Sequence, residues 1–156
     1  MHFLNSIAFS IIKKLIQTGK TLSTAESCTG GLIASSITDI PGASKVFLGG
    51  MVVYATEMKL RLLGVTREVL DYGVISSQMA EAMALKIRLL TGSDYSIATT
   101  GNLGPDVMEG KPKGLIYIAI ATPEKVYIKE LKLQGDRQSN KTEATEEALK
   151  LFLELL

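Results

Sequence analysis

Short apolar runs with strand character alternate with amphipathic segments along the chain, and this alternation restricts the fold more than any other sequence feature. Strands that alternate with helices favour a largely parallel sheet covered by helices on both faces. The last two strand-like runs are separated only by the turn at residues 122–124, which predicts an antiparallel hairpin. We therefore expect an α/β fold, a three-layer α/β/α sandwich with a mixed sheet.

The same periodicity gives approximate boundaries for the elements. Ser76 is expected to cap the fourth helix, and Gly92 to follow its end. One or two helical turns are expected within residues 65–72, and a proline-glycine turn at residues 40–44. The predicted helices are 5–18, 29–38, 57–63, 77–90 and 139–156. The predicted strands are 20–25, 45–54, 94–100, 115–121 and 125–133.

Composition indicates a soluble globular protein. The chain has 156 residues, so we expect a single domain over residues 1–156. It is 46% hydrophobic with a formal net charge of +1, and its basic residues form no long run, so a nucleic-acid partner is not expected. No apolar run is long enough to span a membrane. The charges of the N-terminal segment follow its apolar residues, which favours a docking helix over a signal peptide.

Two residue counts narrow the chemistry. The single cysteine, Cys28, excludes an intramolecular disulfide and fits the reducing cytoplasm. The only histidine is His2, which argues against a metal site built from several histidines and against a catalytic Ser-His-Asp triad. We therefore expect a cytoplasmic protein without a bound metal.

Three segments that carry hydroxyl groups, glycines and a lysine are expected at one edge of the sheet. A right-handed strand–helix–strand crossover leaves its strands parallel, so Ser27 and residues 54–59 would emerge together. If the strand ending at Thr100 is also parallel, its following loop joins them. Ligands in open α/β sheets bind outside these carboxyl ends, so we expect the functional site there.

The stretch AESCTGG, residues 25–31, lies between the first strand and the following helix, and two interpretations stay open. Ser27 is an ordinary helix N-cap in one and a nucleophile in the other. Cys28 competes as a nucleophile, although a buried cysteine without a histidine partner behaves as a small apolar residue. Gly30 and Gly31 would let an anion such as phosphate approach the N–H groups of the helix start.

Lys59 is the candidate base for a serine that has no histidine. A lysine can accept a proton when burial or a neighbouring cation lowers its pKa. The alternative is a solvated surface lysine. Tyr54, at a strand end, contributes either to packing or to chemistry. No local motif links Ser27 with Lys59, so their pairing depends on the predicted sheet topology.

The remaining polar candidates are the loop TTGNLGP, residues 99–105, and the segment around Arg137. The loop forms either a structural turn or a set of donors around a ligand. Arg137 either supports capping of the last helix through Asp136 or binds a carboxylate or phosphate in a fork. Lys111 and Lys113 are expected in a flexible loop and solvated.

In their order along the chain, six segments resemble the C-terminal domain family of the competence-damage-inducible protein CinA, also known as stand-alone nicotinamide-nucleotide amidases. They are TLSTAESCTGGLIASSITDIPGAS, VFLGGMVVYATEMKLRLLGV, YGVISSQMAEAMA, TTGNLGP, KPKGLIYIAI and LQGDR, and the resemblance covers about residues 5–156. It implies a three-layer α/β/α sandwich. It also implies deamidation of nicotinamide mononucleotide to nicotinate mononucleotide and ammonia, with no metal or cofactor.

The resemblance also implies residue roles. Ser27 would be the nucleophile, Lys59 its general base and Tyr54 an auxiliary hydrogen-bonding group. The small-molecule partner would be a pyridine nucleotide. The backbone N–H groups of Cys28, Thr29 and Gly30 would stabilise the oxyanion that forms when the serine attacks the amide. The nucleotide's phosphate and ribose would be held by Ser44, Thr100, Gly101 and Arg137.

The chain departs from the family pattern at several positions. The family loop TGIAGP reads TGNLGP here, with Leu103 in place of a small residue. Thr56 stands where the family usually has Asn, and Lys141 where it tends to carry Arg, which removes bidentate geometry. Ser27, Tyr54 and Lys59 are all kept. We therefore expect the reaction type to match that of the family, whereas the preferred substrate can differ.

A second class of function stays open beside the amidase. The chain would then be a non-catalytic nucleotide-binding or assembly domain of the same fold, whose altered loop has lost turnover. Binding of a nucleotide without release of ammonia would indicate this class. The apolar first helix is a candidate interface for a homo-oligomer.

Overall fold

The architecture is given by a computed structural model that describes residues 2–156, apart from the side chain of His2. Within that part of the chain the helices are α1 (His2–Thr18), α2 (Leu32–Thr38), α3 (Thr56–Arg61), α4 (Ser77–Thr91) and α5 (Arg137–Leu155). The strands are β1 (Leu22–Glu26), β2 (Phe47–Val52), β3 (Tyr95–Gly101), β4 (Leu115–Ala121) and β5 (Val126–Lys132). Short 3₁₀ helices cover Ala43–Lys45 and Arg67–Tyr72.

The five strands form one mixed sheet in the order β2-β1-β3-β4-β5. Strand β1 pairs in parallel with both β2 and β3, whereas the β3–β4 and β4–β5 pairs are antiparallel. The parallel strands come from crossovers through α2 and α4, and the antiparallel pairs include the predicted hairpin. The mixed sheet is therefore confirmed, and the carboxyl ends of β1, β2 and β3 lie at one edge.

Helices cover both faces of the sheet and bury separate apolar clusters. Helices α1, α2 and α5 pack on one face through residues such as Ile11, Ile37 and Phe152. Helix α4 packs on the other face, where Met79 and Met83 are fully buried. Together with the sheet these two helical layers make the predicted three-layer α/β/α sandwich.

Capping groups explain where several helices begin. The Ser76 hydroxyl accepts a hydrogen bond from Met79 N, as predicted for the start of α4. The Asp136 carboxylate accepts from Ser139 N, so α5 begins at Arg137, two residues before the predicted boundary. Helix α2 begins at Leu32 rather than at Thr29, because its cap comes from a different residue than expected. None of the helices within residues 2–156 combines the length and apolar character needed to cross a membrane.

Candidate active site

Ser27 is the first residue after β1 and lies at the floor of a pocket. Its backbone N–H donates to Thr99 O at 3.0 Å, so the turn is tied to the neighbouring strand β3. The side chain is nearly buried, and its Oγ lies 2.9 Å from the Nζ of Lys59. Ser27 also has a longer contact, 3.5 Å, from Oγ to Tyr54 O. The predicted pairing of Ser27 with Lys59 is present in the structure.

Lys59 is on α3 and is only 2% exposed. Its Nζ donates to Ser27 Oγ, to Val53 O at 2.9 Å and to Tyr54 O at 3.0 Å. Burial disfavours the ammonium form and lowers the pKa of Lys59 from 10.5 to about 8, although the Glu109 carboxylate acts in the opposite direction. Lys59 is therefore not a solvated surface lysine, and a substantial fraction of it is neutral near pH 8.

Glu26 makes the cap that sequence reasoning assigned to Ser27. Its buried carboxylate accepts hydrogen bonds from Thr29 Oγ1 at 2.6 Å and from three backbone N–H groups at the start of α2. These N–H groups belong to Gly31, Ile33 and Ala34. The N-cap interpretation of Ser27 is therefore wrong, which leaves its hydroxyl free for Lys59.

The Glu26 carboxylate also changes the predicted binding role of the AESCTGG turn. It occupies the helix start at which an anion was expected to bind. Thr29 is fully buried and its hydroxyl also contacts Thr99 Oγ1 at 2.7 Å, so its side chain supports the turn. Gly30 N donates to Ser27 O at 3.0 Å and is not available to an oxyanion. The sequence signal for this cap is a glutamate three residues before a Thr-Gly-Gly turn.

The pocket around Ser27 has a volume of about 300 Å³. It is built at the carboxyl ends of β1, β2 and β3, as the predicted topology required. Of the residues predicted to bind a substrate, Cys28, Thr100, Gly101 and Arg137 line it, together with Ser27, Tyr54 and Lys59. Its other lining residues are Ala55, Thr56, Val74, Ile75, Asn102, Leu103 and Met108.

Ser44 does not belong to this pocket. It precedes β2, whereas Tyr54 follows the same strand, so the strand separates the two residues by roughly 20 Å at about 3.3 Å per residue. Ser44 instead lines a second cavity together with Thr38, Pro41 and Phe47. The predicted contact of Ser44 with a nucleotide in the Ser27 pocket is therefore wrong for a single copy of the chain.

Cys28 lines the pocket but is unsuited to act as its nucleophile. Burial raises the pKa of the Cys28 thiol to about 12, so the thiolate is scarcely populated at neutral pH. Among the side chains of residues 3–156, no basic group makes a hydrogen bond with its sulfur as Lys59 does with Ser27 Oγ. Of the two candidate nucleophiles, Ser27 is the one whose side chain contacts Lys59.

Arg137 connects α5 with two loops at the pocket mouth. One guanidinium nitrogen donates to Gly104 O at 2.8 Å and the other to the Tyr54 hydroxyl at 2.6 Å. The α5 cap is made by Asp136, as one of the two interpretations had it. The Tyr54 hydroxyl therefore faces Arg137, while the Tyr54 carbonyl faces Lys59. Among the side chains of residues 3–156, no three Cys, Asp or Glu groups lie closely enough together to hold a metal ion.

Sequence reasoning missed the apolar side of the pocket. Val74 and Ile75 reach it from the segment before α4, and Met108 from the β3–β4 connection. The prediction that Lys111 is solvated is wrong, because its Nζ donates to the Ile75 and Tyr72 carbonyls. The Glu109-Gly110 pair, which forms the turn of this connection, was the available sequence signal.

Comparison with known proteins identifies the family. The sequence-family model of the CinA C-terminal domain matches residues 4–156. The chain belongs to the CinA C-terminal domain family. A competence-damage inducible protein of Caldanaerobacter subterraneus subsp. tengcongensis is 50% identical over 134 residues, which are 85% of this chain and 32% of that protein. The CinA-like protein of Frankia casuarinae is 42% identical over 97% of this chain and 35% of its own length.

Solved structures of the CinA superfamily share the fold. One from Escherichia coli has a TM-score of 0.96 and 30% identity, covering 98% of this chain and 90% of that chain. The competence/damage inducible protein CihA of Agrobacterium tumefaciens has a TM-score of 0.93 and 33% identity, covering 98% and 95% respectively. The chain spans about a third of the length of the curated relatives it matches.

Proposed function

We propose that this CinA C-terminal domain is an amidohydrolase that converts nicotinamide mononucleotide to nicotinate mononucleotide and ammonia. The observation that carries the proposal is the 2.9 Å contact between Lys59 Nζ and Ser27 Oγ within a pocket. The lowered pKa of Lys59, about 8, supports its use as a base. The choice of substrate rests on the family resemblance.

Acylation begins when neutral Lys59 takes the Ser27 proton as Oγ attacks the carboxamide carbon. The Val53 and Tyr54 carbonyls accept two N–H bonds of Lys59, which directs its lone pair toward Ser27. The carbonyl oxygen becomes an oxyanion that the Cys28 N–H, next to the nucleophile, is suited to stabilise. The intermediate collapses when Lys59 returns the proton to the amide nitrogen, and ammonia leaves.

Deacylation repeats the sequence with water. Neutral Lys59 takes a proton from water, whose oxygen attacks the acyl carbon, and the proton then returns to Ser27 Oγ. The products are nicotinate mononucleotide and the free serine. During both steps Arg137, at the pocket mouth, would exchange its Tyr54 contact for a phosphate oxygen of the nucleotide.

The wider setting of the activity is part of the same proposal. A pyridine nucleotide is the small-molecule partner, and we propose neither a nucleic-acid nor a membrane partner. The location is cytoplasmic, in keeping with the single reduced cysteine. A homo-oligomer through α1 is supported by its exposed Phe3 and Phe9.

The decisive experiment measures ammonia and nicotinate mononucleotide formed from nicotinamide mononucleotide by the native protein, Ser27→Ala and Ser35→Ala. Ser35 is an exposed serine on α2 and serves as the matched control. We expect activity in the native protein and in Ser35→Ala, and none in Ser27→Ala. Equal activity in all three would contradict the nucleophile. No activity in any, with the nucleotide still raising the melting temperature, would favour the non-catalytic binding domain.

A further inference from the structure

Residues 106–113, here called the strap, lie across the segment of residues 72–76 at the side of the pocket. Glu109 fixes the strap through its carboxylate, which accepts from Ile75 N at 2.8 Å and from Val74 N at 3.1 Å. Gly73 permits this approach, because a Cβ there would lie 2.7 Å from Glu109 Oε2. A carboxylate that binds two adjacent N–H groups holds a backbone segment in one orientation.

Lys111 binds the same segment through its carbonyl groups. Its Nζ donates to Tyr72 O at 3.2 Å and to Ile75 O. The Thr100 hydroxyl donates to Val74 O at 2.6 Å from the other side. Opposite charges on the strap therefore satisfy both donors and acceptors of one short stretch of backbone, which makes the strap and the segment a single unit.

This unit supplies the apolar wall of the Ser27 pocket. Val74 and Ile75 come from the clamped segment and Met108 from the strap itself. The dyad has separate supports, since Val53 O, Tyr54 O and Thr99 O hold Lys59 and Ser27. The strap can therefore change the room beside Ser27 without changing the contact between Ser27 and Lys59.

We propose that Met108 is a specificity-determining residue of the Ser27 pocket, and that Glu109 and Lys111 are positioning residues that hold the apolar wall against the flat ring of an aryl carboxamide. The proposal deepens the amidohydrolase proposal and rests on it. An apolar wall stabilises the carbon faces of a planar aromatic ring by removing both surfaces from water. The wall thus favours an amide carried on a ring over an amide carried on a small aliphatic group.

The test uses two reagents that differ in the group beside the reacting atom, phenylmethanesulfonyl fluoride and methanesulfonyl fluoride. With either one, Ser27 Oγ bonds to sulfur, the sulfur–fluorine bond breaks, and fluoride leaves while Lys59 takes the serine proton. Labelling rates are measured by intact mass, with Ser27→Ala as the blank. The quantity compared is the ratio of the aryl rate to the methyl rate in each variant.

We expect Met108→Ala and Lys111→Met to lower this ratio about fivefold relative to the native protein, the loss of part of one apolar contact. The methyl rate should fall less than the aryl rate, because a methyl group makes less contact with the wall. Met108→Leu, which keeps the apolar contact, and Lys113→Met, a neighbouring lysine of the strap, should keep the native ratio.

Unchanged ratios in Met108→Ala and Lys111→Met would overturn the role of the strap while leaving the nucleophile intact. If both rates fall equally, the ratio is also unchanged. That outcome would indicate a general disturbance of Ser27 and Lys59 and would likewise contradict a selective role of the strap. If neither reagent labels Ser27 in the native protein, the result would contradict both the proposed nucleophile and the proposed role of the wall. Selective labelling without turnover of nicotinamide mononucleotide would support the wall and contradict only the proposed substrate.

Discussion

Lys59 illustrates how burial and two carbonyl groups together define the chemistry of one side chain. Burial destabilises the charged form of this lysine. Val53 O and Tyr54 O nevertheless accept two of its N–H bonds in either protonation state. The third position faces Ser27 Oγ, so deprotonation of Lys59 creates a lone pair directed at the hydroxyl. Activity should therefore follow the titration of this one group.

The first prediction concerns pH. Because the base must be neutral, kcat/KM for nicotinamide mononucleotide should fall about tenfold per pH unit below about pH 8 and level off above it. The measurement is a pH–rate profile from pH 6 to pH 9.5. A profile that is flat across this range would show that Lys59 is not the base.

The second prediction concerns stability. The folded protein releases the Lys59 proton at about pH 8 and the unfolded chain near 10.5, so between these values the unfolded chain binds more protons and stability rises with pH. Relative to Lys59→Met, the native free energy of unfolding should therefore gain about 2 kcal/mol from pH 7 to pH 9.5. Urea denaturation of both proteins at the two pH values measures the difference. Parallel pH dependences would contradict the buried, titrating lysine.

At the scale of elements, the start of α2 depends on a residue from the preceding strand. Glu26 leaves β1 and returns its carboxylate to the N–H groups of Gly31, Ile33 and Ala34. The helix has only seven residues, so it contributes little stability of its own and depends on this cap. Because Ser27 lies between strand and cap, the same contacts fix the position of Ser27, the proposed nucleophile.

The third prediction follows from this cap. Glu26→Gln keeps the shape of the side chain but replaces one acceptor oxygen by a donor, so the free energy of unfolding should fall by about 2–3 kcal/mol. The matched control is Glu57→Gln, which removes only an exposed pair with Arg67 and should change stability by less than about 1 kcal/mol. Urea denaturation compares them, and equal losses in both variants would exclude a special role for Glu26.

Sequence patterns predicted the elements better than the contacts between them. The predicted helix at residues 5–18 is present as α1, and Ile7, Ile11 and Leu15 are buried along it, because their spacing is a property of the helix itself. The Ser27–Lys59 pairing followed from the parallel topology. Ser44 and Lys111 were misjudged because their surroundings come from residues far along the chain, whose approach no local pattern encodes.

At the scale of the whole molecule, α5 closes the site from the far end of the sequence. Arg137 contacts Gly104 O after β3 and the Tyr54 hydroxyl after β2, so one side chain joins three parts of the fold. Asn140, one turn further along, is fully buried and donates to Leu103 O at 3.0 Å. The last helix is therefore needed for the shape of the pocket.

The fourth prediction concerns Arg137. Arg137→Met removes both contacts and the cation at the pocket mouth, so the KM for nicotinamide mononucleotide should rise about tenfold, with kcat within about threefold of native. Lys132→Met, which removes an exposed cation on β5, is the matched control and should leave both constants unchanged. Steady-state kinetics measure both. A fall in kcat at constant KM would place Arg137 in the chemical step instead.

The change of strand direction within the sheet has a consequence for how this domain can diversify. Strand β3 runs parallel to β1, but β4 runs back antiparallel, so the β3–β4 connection must turn at the rim of the pocket. Ser27 and Lys59 lie earlier in the chain, on segments that this connection does not interrupt. Grafting a different β3–β4 loop that keeps Gly104 and Glu109 is therefore a direct way to retarget the domain, since a new recognition surface would be installed beside a Ser27–Lys59 contact that the loop does not make.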